Sequence, residues 1–329
     1  MSEQPVRAGV VGVGSMGQNH ARVYDSLSGV SLVGVADADE SQAAAVASAC
    51  GTTAVEDDVL FEHSDVVSIS VPTQYHYDIT RRALEAGVDV LVEKPFVAEP
   101  AEGRELIECA ERNDAIIQVG HVERFNPVVE ALERIVSNLD VIATHAQRLS
   151  PPPDRDIDDT ATMDLMIHDI DLVRTLVDGS VESCGAFGAA NGRYAVGTLQ
   201  FDSGVVSNLT ASRVTQEEVR QLTVSAKTCR VKADLLEQTV EIHRESAAEF
   251  ADDIGDVDCR GEDVVEQIAV RDAEPLEREL RAFVDAVRTG AEPRVTGDDG
   301  LRVLEIAQAV ESDRVHGERR SDRSEVMPS

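Results

Sequence analysis

The run Val10-Val11-Gly12-Val13-Gly14-Ser15-Met16-Gly17 constrains this chain more than any other segment. Val6 to Val11 reads as a buried strand and Ser15 to Leu27 as the helix that follows it. Between them, three glycines stand at the spacing of a dinucleotide fingerprint. Gly12 allows a tight turn, Gly14 lets backbone approach a pyrophosphate, and Gly17 lets the helix pack on the strand. The first helical residues, Ser15 and Met16, would then face phosphates. Val30 to Ala36 is a second strand, ended by Asp37 twenty residues past Gly17. A carboxylate there accepts hydrogen bonds from both ribose hydroxyls and repels a 2′-phosphate, and Ala38 offers no compensating cation. The expected cofactor is NAD rather than NADP.

The alternation of strand and helix continues. A helix over Glu40 to Ala49 leads to a strand at Val66 to Val71, then a helix over Thr80 to Ala86 stopped by Gly87. Strands at Val88 to Val92 and Ala115 to Val119 flank a helix over Pro100 to Asn113. Such alternation implies a doubly wound parallel sheet, with ligands beyond the carboxyl ends of its strands. After about residue 123 the pattern changes. A helix over Pro127 to Ser137 and a strand over Val141 to Leu149 precede a helix over Met163 to Val177. Strand-like runs then follow one another from Val181 to His243, separated by turns such as Asp202-Ser203-Gly204. This is an open, mostly antiparallel sheet. Glu245 to Glu262 is an acidic loop or sheet edge, Leu276 to Arg288 and Leu301 to Val310 are amphipathic helices, and Glu311 onward is a frayed tail. The expected architecture is α/β, with a nucleotide-binding domain over 1–123, a second α/β domain over 124–315 and a flexible tail over 316–329.

The 329 residues are enough for two cores, and no apolar run approaches a membrane span. The formal charge is −32, and Lys94, Lys227 and Lys232 are the only lysines. Acid spread along the whole chain, with lysine almost removed, marks a protein suited to a high-salt cytoplasm, where ions screen the mutual repulsion of carboxylates. It argues against nucleic acid or an anionic membrane as partner. Five scattered cysteines without paired ligand spacing fit a reducing cytosol and no metal.

Candidate site residues stand where strands end. Glu93-Lys94-Pro95 follows the strand at Val88 to Val92, which puts Glu93 and Lys94 among the expected cofactor-binding residues and aims Lys94 at the place where a nicotinamide should lie. A compact ammonium suits donation to a single alcohol oxygen better than a guanidinium does; the plainer alternative is a lysine paired with Glu93. Pro72 and Thr73 are placed to touch the nicotinamide ribose, and His76 either joins them or merely packs. Asp164, His168 and Asp171 fall at i, i+4 and i+7 of a helix, on one face. His168 can serve as a general base oriented by Asp164; the same spacing suits a metal or a salt-bridged surface. Arg124 and Asn126, at the junction between domains, suit a polyhydroxylated or anionic substrate, or else a hinge.

Together the Gly12-x-Gly14-x-x-Gly17 turn, Glu93-Lys94-Pro95, and Asp164-x-x-x-His168 some 70 residues after Lys94 resemble the Gfo/Idh/MocA oxidoreductases, named for glucose-fructose oxidoreductase, inositol dehydrogenase and a rhizopine-catabolism protein. The late segment Phe283 to Ile306 also looks like the family's. The resemblance implies a Rossmann domain followed by an open-sheet domain whose outer face forms homodimers or homotetramers. It implies that Lys94 contacts the reacting hydroxyl and the nicotinamide ribose, that His168 is the acid/base, and that Asp164 supports it. The substrate class it implies is a sugar or nucleotide sugar. Glu123-Arg124-Phe125-Asn126-Pro127 is similar to the run in members that oxidise the 3-hydroxyl of UDP-N-acetylglucosamine or its uronate. A free sugar or inositol is the alternative, and a non-catalytic NAD-binding regulator is another.

Overall fold

The computed structural model describes residues 4–152, 159–245 and 263–322. The first sheet is built as the alternation implies. Strands β1 (Val6–Val11), β2 (Val30–Ala36), β3 (Val66–Ile69), β4 (Asp89–Glu93) and β5 (Ile117–Gly120) run parallel in the order β2-β1-β3-β4-β5. Helices α1 (Ser15–Ser26), α2 (Glu40–Ala49), α3 (Asp57–His63), α4 (His76–Glu85) and α5 (Pro100–Arg112) connect them. The short α3 is an addition to the sequence reading. The order reverses direction between β1 and β3, which places the ligand crevice at the carboxyl ends of those strands.

The second sheet has eight strands. They are β6 (Val141–Leu149), β7 (Val181–Ala189), β8 (Tyr194–Phe201), β9 (Val206–Ser212), β10 (Val219–Ala226), β11 (Arg230–Asp234), β12 (Thr239–Glu245) and β13 (Asp263–Ile268). Their order is β13-β12-β11-β10-β6-β9-β8-β7, antiparallel except where β6 meets β9. The sequence reading has no counterpart for β13, a strand whose pattern Asp-Val-Val-Glu-Gln-Ile is too polar to stand out. The expected acidic loop over Glu245 to Glu262 lies almost wholly outside the described residues. One face of the sheet carries α6 (Pro127–Val136) and α7 (Ile167–Leu176). On that face Ala186, Ala195, Leu199, Leu209, Ala211, Leu222 and Val224 are all buried, with the alternation regular along β8.

The division of the chain corrects the expected boundaries. Two compact units form: Met1–Phe125 with Ala273–Glu305, and Asn126–Asp272 with Ile306–Ser329. Residues 273–305, expected in the second domain, belong to the first. The reason is α8 (Pro275–Thr289), whose Leu276, Leu280, Phe283 and Val284 are buried in one cluster with Ala21, Val23 and Tyr24 of α1. Burying each such large apolar side chain stabilises by about 1.5–3 kcal/mol. The Val119 amide also donates to the Val295 carbonyl at 3.1 Å, tying β5 to the same segment. The frayed tail is corrected too. Helix α9 (Gly297–Asp322) runs on through most of it, burying Val310 and Arg314; 323–329 lie outside the described residues. Among the described residues no helix is long and apolar enough to cross a membrane.

Candidate active site

In the first unit, the glycines do three different jobs. Gly12 has φ +81°, and a Cβ on it would lie 2.7 Å from the Ser70 carbonyl oxygen. Only glycine fits a turn pressed that closely on the exit of β3. At Gly17 a Cβ would lie 1.8 Å from the Gly12 carbonyl oxygen, so α1 sits directly on the turn. Gly14 is different: nothing lies within 4 Å of where its Cβ would be. It is the N-cap of α1, which has no side-chain cap and no acidic residue in its first turn. The turn therefore leaves open space over a helix N-terminus whose amide dipoles favour an anion.

Asp37 stands at the end of β2. Its Oδ2 accepts from the Val13 amide at 2.7 Å and its Oδ1 from the Asp39 amide at 2.9 Å. These bonds fix the carboxylate beside the glycine turn and leave lone pairs for ribose hydroxyls. Pro72 is exposed, and Thr73 opens a single 3₁₀ turn to Tyr75 directly after β3.

His76 is not a cofactor ligand in this arrangement. It is 1% exposed, with Nδ1 2.9 Å from the Pro95 carbonyl oxygen and Nε2 2.9 Å from that of Val71. The ring fastens the loop after β3 to the loop after β4. Burial pushes its proton affinity down, against the pull of the carbonyls of Val71, Phe96 and Pro95 and the charge of Glu93.

Glu93, the last residue of β4, is buried. Its Oε1 accepts from His20 Nε2 at 3.0 Å, and its Oε2 accepts from the Lys94 amide at 3.3 Å. Burial pushes the Glu93 carboxyl up, but the hydrogen bond and charge of His20, the charge of Lys94 and the Lys94 amide together hold it below the ordinary range. The Lys94 side chain is half-buried beside it. His20 escaped the sequence reading, though a signal was available. It lies three residues after Gly17 among the buried positions Gly17, Ala21 and Tyr24, an unexpected place for an imidazole.

The junction residues have structural roles. Arg124 is buried, and its Nη1 donates to Asp299 Oδ2 at 3.2 Å and to the Arg294 carbonyl at 3.4 Å. Asn126 is buried as well; its Oδ1 caps α6 by accepting from the Val128 amide, and its Nδ2 donates to the Leu235 carbonyl. The bonds of Arg124 hold it within the first unit, and those of Asn126 hold it within the second.

In the second unit, Asp164 and His168 do not share one regular helix. A π-helical turn over Thr162–Met166 precedes α7, so the register slips between them. Asp164 forms an ion pair with Arg213, at the end of β9, whose Nη1 also donates to the Asp159 carbonyl. Asp171, expected to share a face with them opposite the apolar one, is buried, as Met166, Ile170, Val173 and Val177 are. Next to half-buried His168, Asp169 is ion-paired with Arg148 at 3.0 Å, both nearly inaccessible. Along the chain His168 thus lies between two carboxylates, Asp164 and Asp169, each ion-paired with an arginine of the sheet region. Among the described residues no group of three or more His, Cys, Asp or Glu could hold a metal ion.

Residues 6–121 match the family model for the NAD-binding Rossmann fold of Gfo/Idh/MocA oxidoreductases, and 151–317 match that for their C-terminal α/β domain. The chain belongs to the Gfo/Idh/MocA family. Like its relatives it is an NAD-binding oxidoreductase acting on CH–OH groups. It is 33% identical over 310 residues to UDP-N-acetylglucosamine 3-dehydrogenase of Acidithiobacillus ferrooxidans, covering 93% of this chain and 96% of that one. A solved structure of that enzyme superposes with a TM-score of 0.86 at 29% identity, over 95% of this chain and 98% of the other. The scyllo-inositol 2-dehydrogenase of Bacillus subtilis is 27% identical over 331 residues, 93% of each chain. GenD2 from gentamicin A biosynthesis, solved with NAD, shares the fold at a TM-score of 0.80 and 22% identity, covering 96% of this chain and 95% of GenD2. For this Gfo/Idh/MocA member the open space at Gly14, the uncapped α1 and the fixed Asp37 fit the dinucleotide.

Proposed function

We propose that this protein oxidises a secondary hydroxyl of a nucleotide sugar, UDP-N-acetylglucosamine at C3. The observation that carries the reading is the match over most of both chains to an enzyme of that name, together with the presence of Lys94, Asp164 and His168 in this sequence. The junction run Glu123–Pro127 supports it through its similarity to the run in members that act on this sugar.

Bound NAD supplies the hydride acceptor. The α1 N-terminus would hold its pyrophosphate, Asp37 would hold the adenosine ribose, and Pro72 and Thr73 would border the nicotinamide ribose. Lys94 donates to the substrate oxygen as negative charge grows there, where a fixed cation is worth most. His168 accepts the hydroxyl proton. Asp164 orients the imidazole, and Arg213 holds Asp164 in turn. The outer face of the second sheet is the homo-oligomer interface; Phe187 lies on it, 74% exposed, opposite in direction to buried Ala186.

The test is NAD reduction, followed by absorbance, with UDP-N-acetylglucosamine, UDP-glucose, glucose and myo-inositol, in dilute buffer and in molar KCl. Turnover of the UDP-N-acetyl sugar well above the others is expected. Preference for inositol, which the inositol dehydrogenase relatives favour, overturns the choice of substrate.

A further inference from the structure

His20 takes no part in the chemistry proposed for Lys94 and His168, yet it is a wholly buried imidazole on α1, three residues past Gly17. Nε2 donates to Glu93, and Nδ1 has no hydrogen-bond partner among the described residues, so this single contact accounts for the polar bonding of the ring. Glu93 in turn spends its second oxygen on the Lys94 amide. Space for its side chain depends on Gly120, where a Cβ would come 3.2 Å from the Glu93 carboxylate. The chain of contacts therefore runs from the helix that faces the phosphates, through one carboxylate, to the peptide that carries the lysine.

We propose that His20 is a positioning residue: through Glu93 it fixes the backbone and the counter-charge of Lys94, and so couples the phosphate-binding helix to hydride transfer. The inference rests on Lys94 having the role assigned above. Without the His20 donor, burial drives Glu93 to take up a proton. Lys94 then loses both its neighbouring negative charge and a carboxylate anchor on its amide. A reacting group left loose by about 1 Å costs roughly 10²-fold in rate.

Three lysines make the test unusually clean, because Lys227 and Lys232 are exposed and serve as internal standards. The variants are His20→Leu, which keeps bulk and removes the donor, and His20→Gln, whose amide nitrogen sits the same number of bonds from Cα as Nε2. Each is pulse-labelled with N-acetoxysuccinimide and scored by peptide mass spectrometry. NADH binding is read by fluorescence, and hydride transfer by single turnover with UDP-N-acetylglucosamine, or with whichever sugar the wild type oxidises. In His20→Leu, Lys94 should acetylate several-fold faster relative to the two standards. Hydride transfer should fall roughly 10–100-fold, with NADH affinity little changed. His20→Gln should return both readouts toward wild type. Unaltered Lys94 labelling in His20→Leu, or equal damage in both variants, overturns the proposal. If His20→Leu does not fold, Glu93→Gln must show the same rise in Lys94 labelling, and wild-type labelling there overturns it too. Should the wild type oxidise no sugar, the proposed function fails while the labelling still decides the role of His20.

Discussion

Adding one methyl group to the glycine turn should weaken NAD binding at two positions three residues apart but lower stability at only one of them. In Gly17→Ala the methyl must move from 1.8 Å to the 3.0 Å that real Cβ contacts tolerate, so α1 retreats from the turn by at least about 1.2 Å. That retreat breaks the packing of Tyr24, Ala21 and Val23 against the sheet and α8. A cost of about 1–3 kcal/mol, typical of overpacking, is expected. The amides that face the pyrophosphate move with the helix, so NAD affinity should drop tenfold or more, about 1.4 kcal/mol per decade. Gly14→Ala meets nothing within 4 Å, and its φ of −66° suits alanine. The melting temperature should stay at the wild-type value while NAD affinity falls, because the methyl occupies space the pyrophosphate needs. Differential scanning fluorimetry and NADH fluorescence titration measure the two quantities. Wild-type affinity in Gly14→Ala would refute the placement of the pyrophosphate over this turn. A wild-type melting temperature in Gly17→Ala would refute the packing argument.

Asp37→Ala should narrow the preference for NAD over NADP, read from the two dissociation constants; a wild type that prefers NADP contradicts the role of this carboxylate. His168→Ala should lower kcat by about 10²–10⁴-fold, the usual worth of a general base, with NADH affinity intact in the same fluorescence titration. Because Glu93 is held below the ordinary carboxylate range, it contributes stability that is complete above about pH 4.3 and lost as pH falls through its depressed folded value. Acid titration of the wild type against Glu93→Gln should show the difference in stability shrink in that window. With a charge of −32, the melting temperature should rise steeply from dilute buffer to molar KCl; an unchanged value would sink the high-salt reading.

The positions of the glycine turn, Asp37 and Lys94 at strand ends were legible because their physics is local: each depends on a strand end and on a spacing within one βαβ unit. The parallel and antiparallel sheets were legible for the same reason, through patterns of alternation. What stayed hidden depends on partners far apart in sequence. His20 meets Glu93 across 73 residues, Arg124 meets Asp299 across 175, and Arg213 meets Asp164 across 49. Nothing in the residues around Arg124 says whether its guanidinium faces a ligand or a carboxylate of its own chain. The π-helical turn is a one-residue slip, which a periodicity of 3.6 cannot reveal.

The return of 273–305 to the first unit sets an order of events during synthesis. By the time Phe125 leaves the ribosome, the parallel sheet has all five strands, but the wall made by Leu276, Leu280 and Phe283 does not yet exist. The ribosome must first make 126–272, which is 272 − 125 = 147 residues. At about 5–20 residues per second this takes roughly 7–30 s. Through that interval the side of α1 that α8 will cover is bare, and an unfinished nucleotide fold is an aggregation hazard that a nascent-chain chaperone would cover. Excising 1–125 as a cofactor-binding module would make that interval permanent.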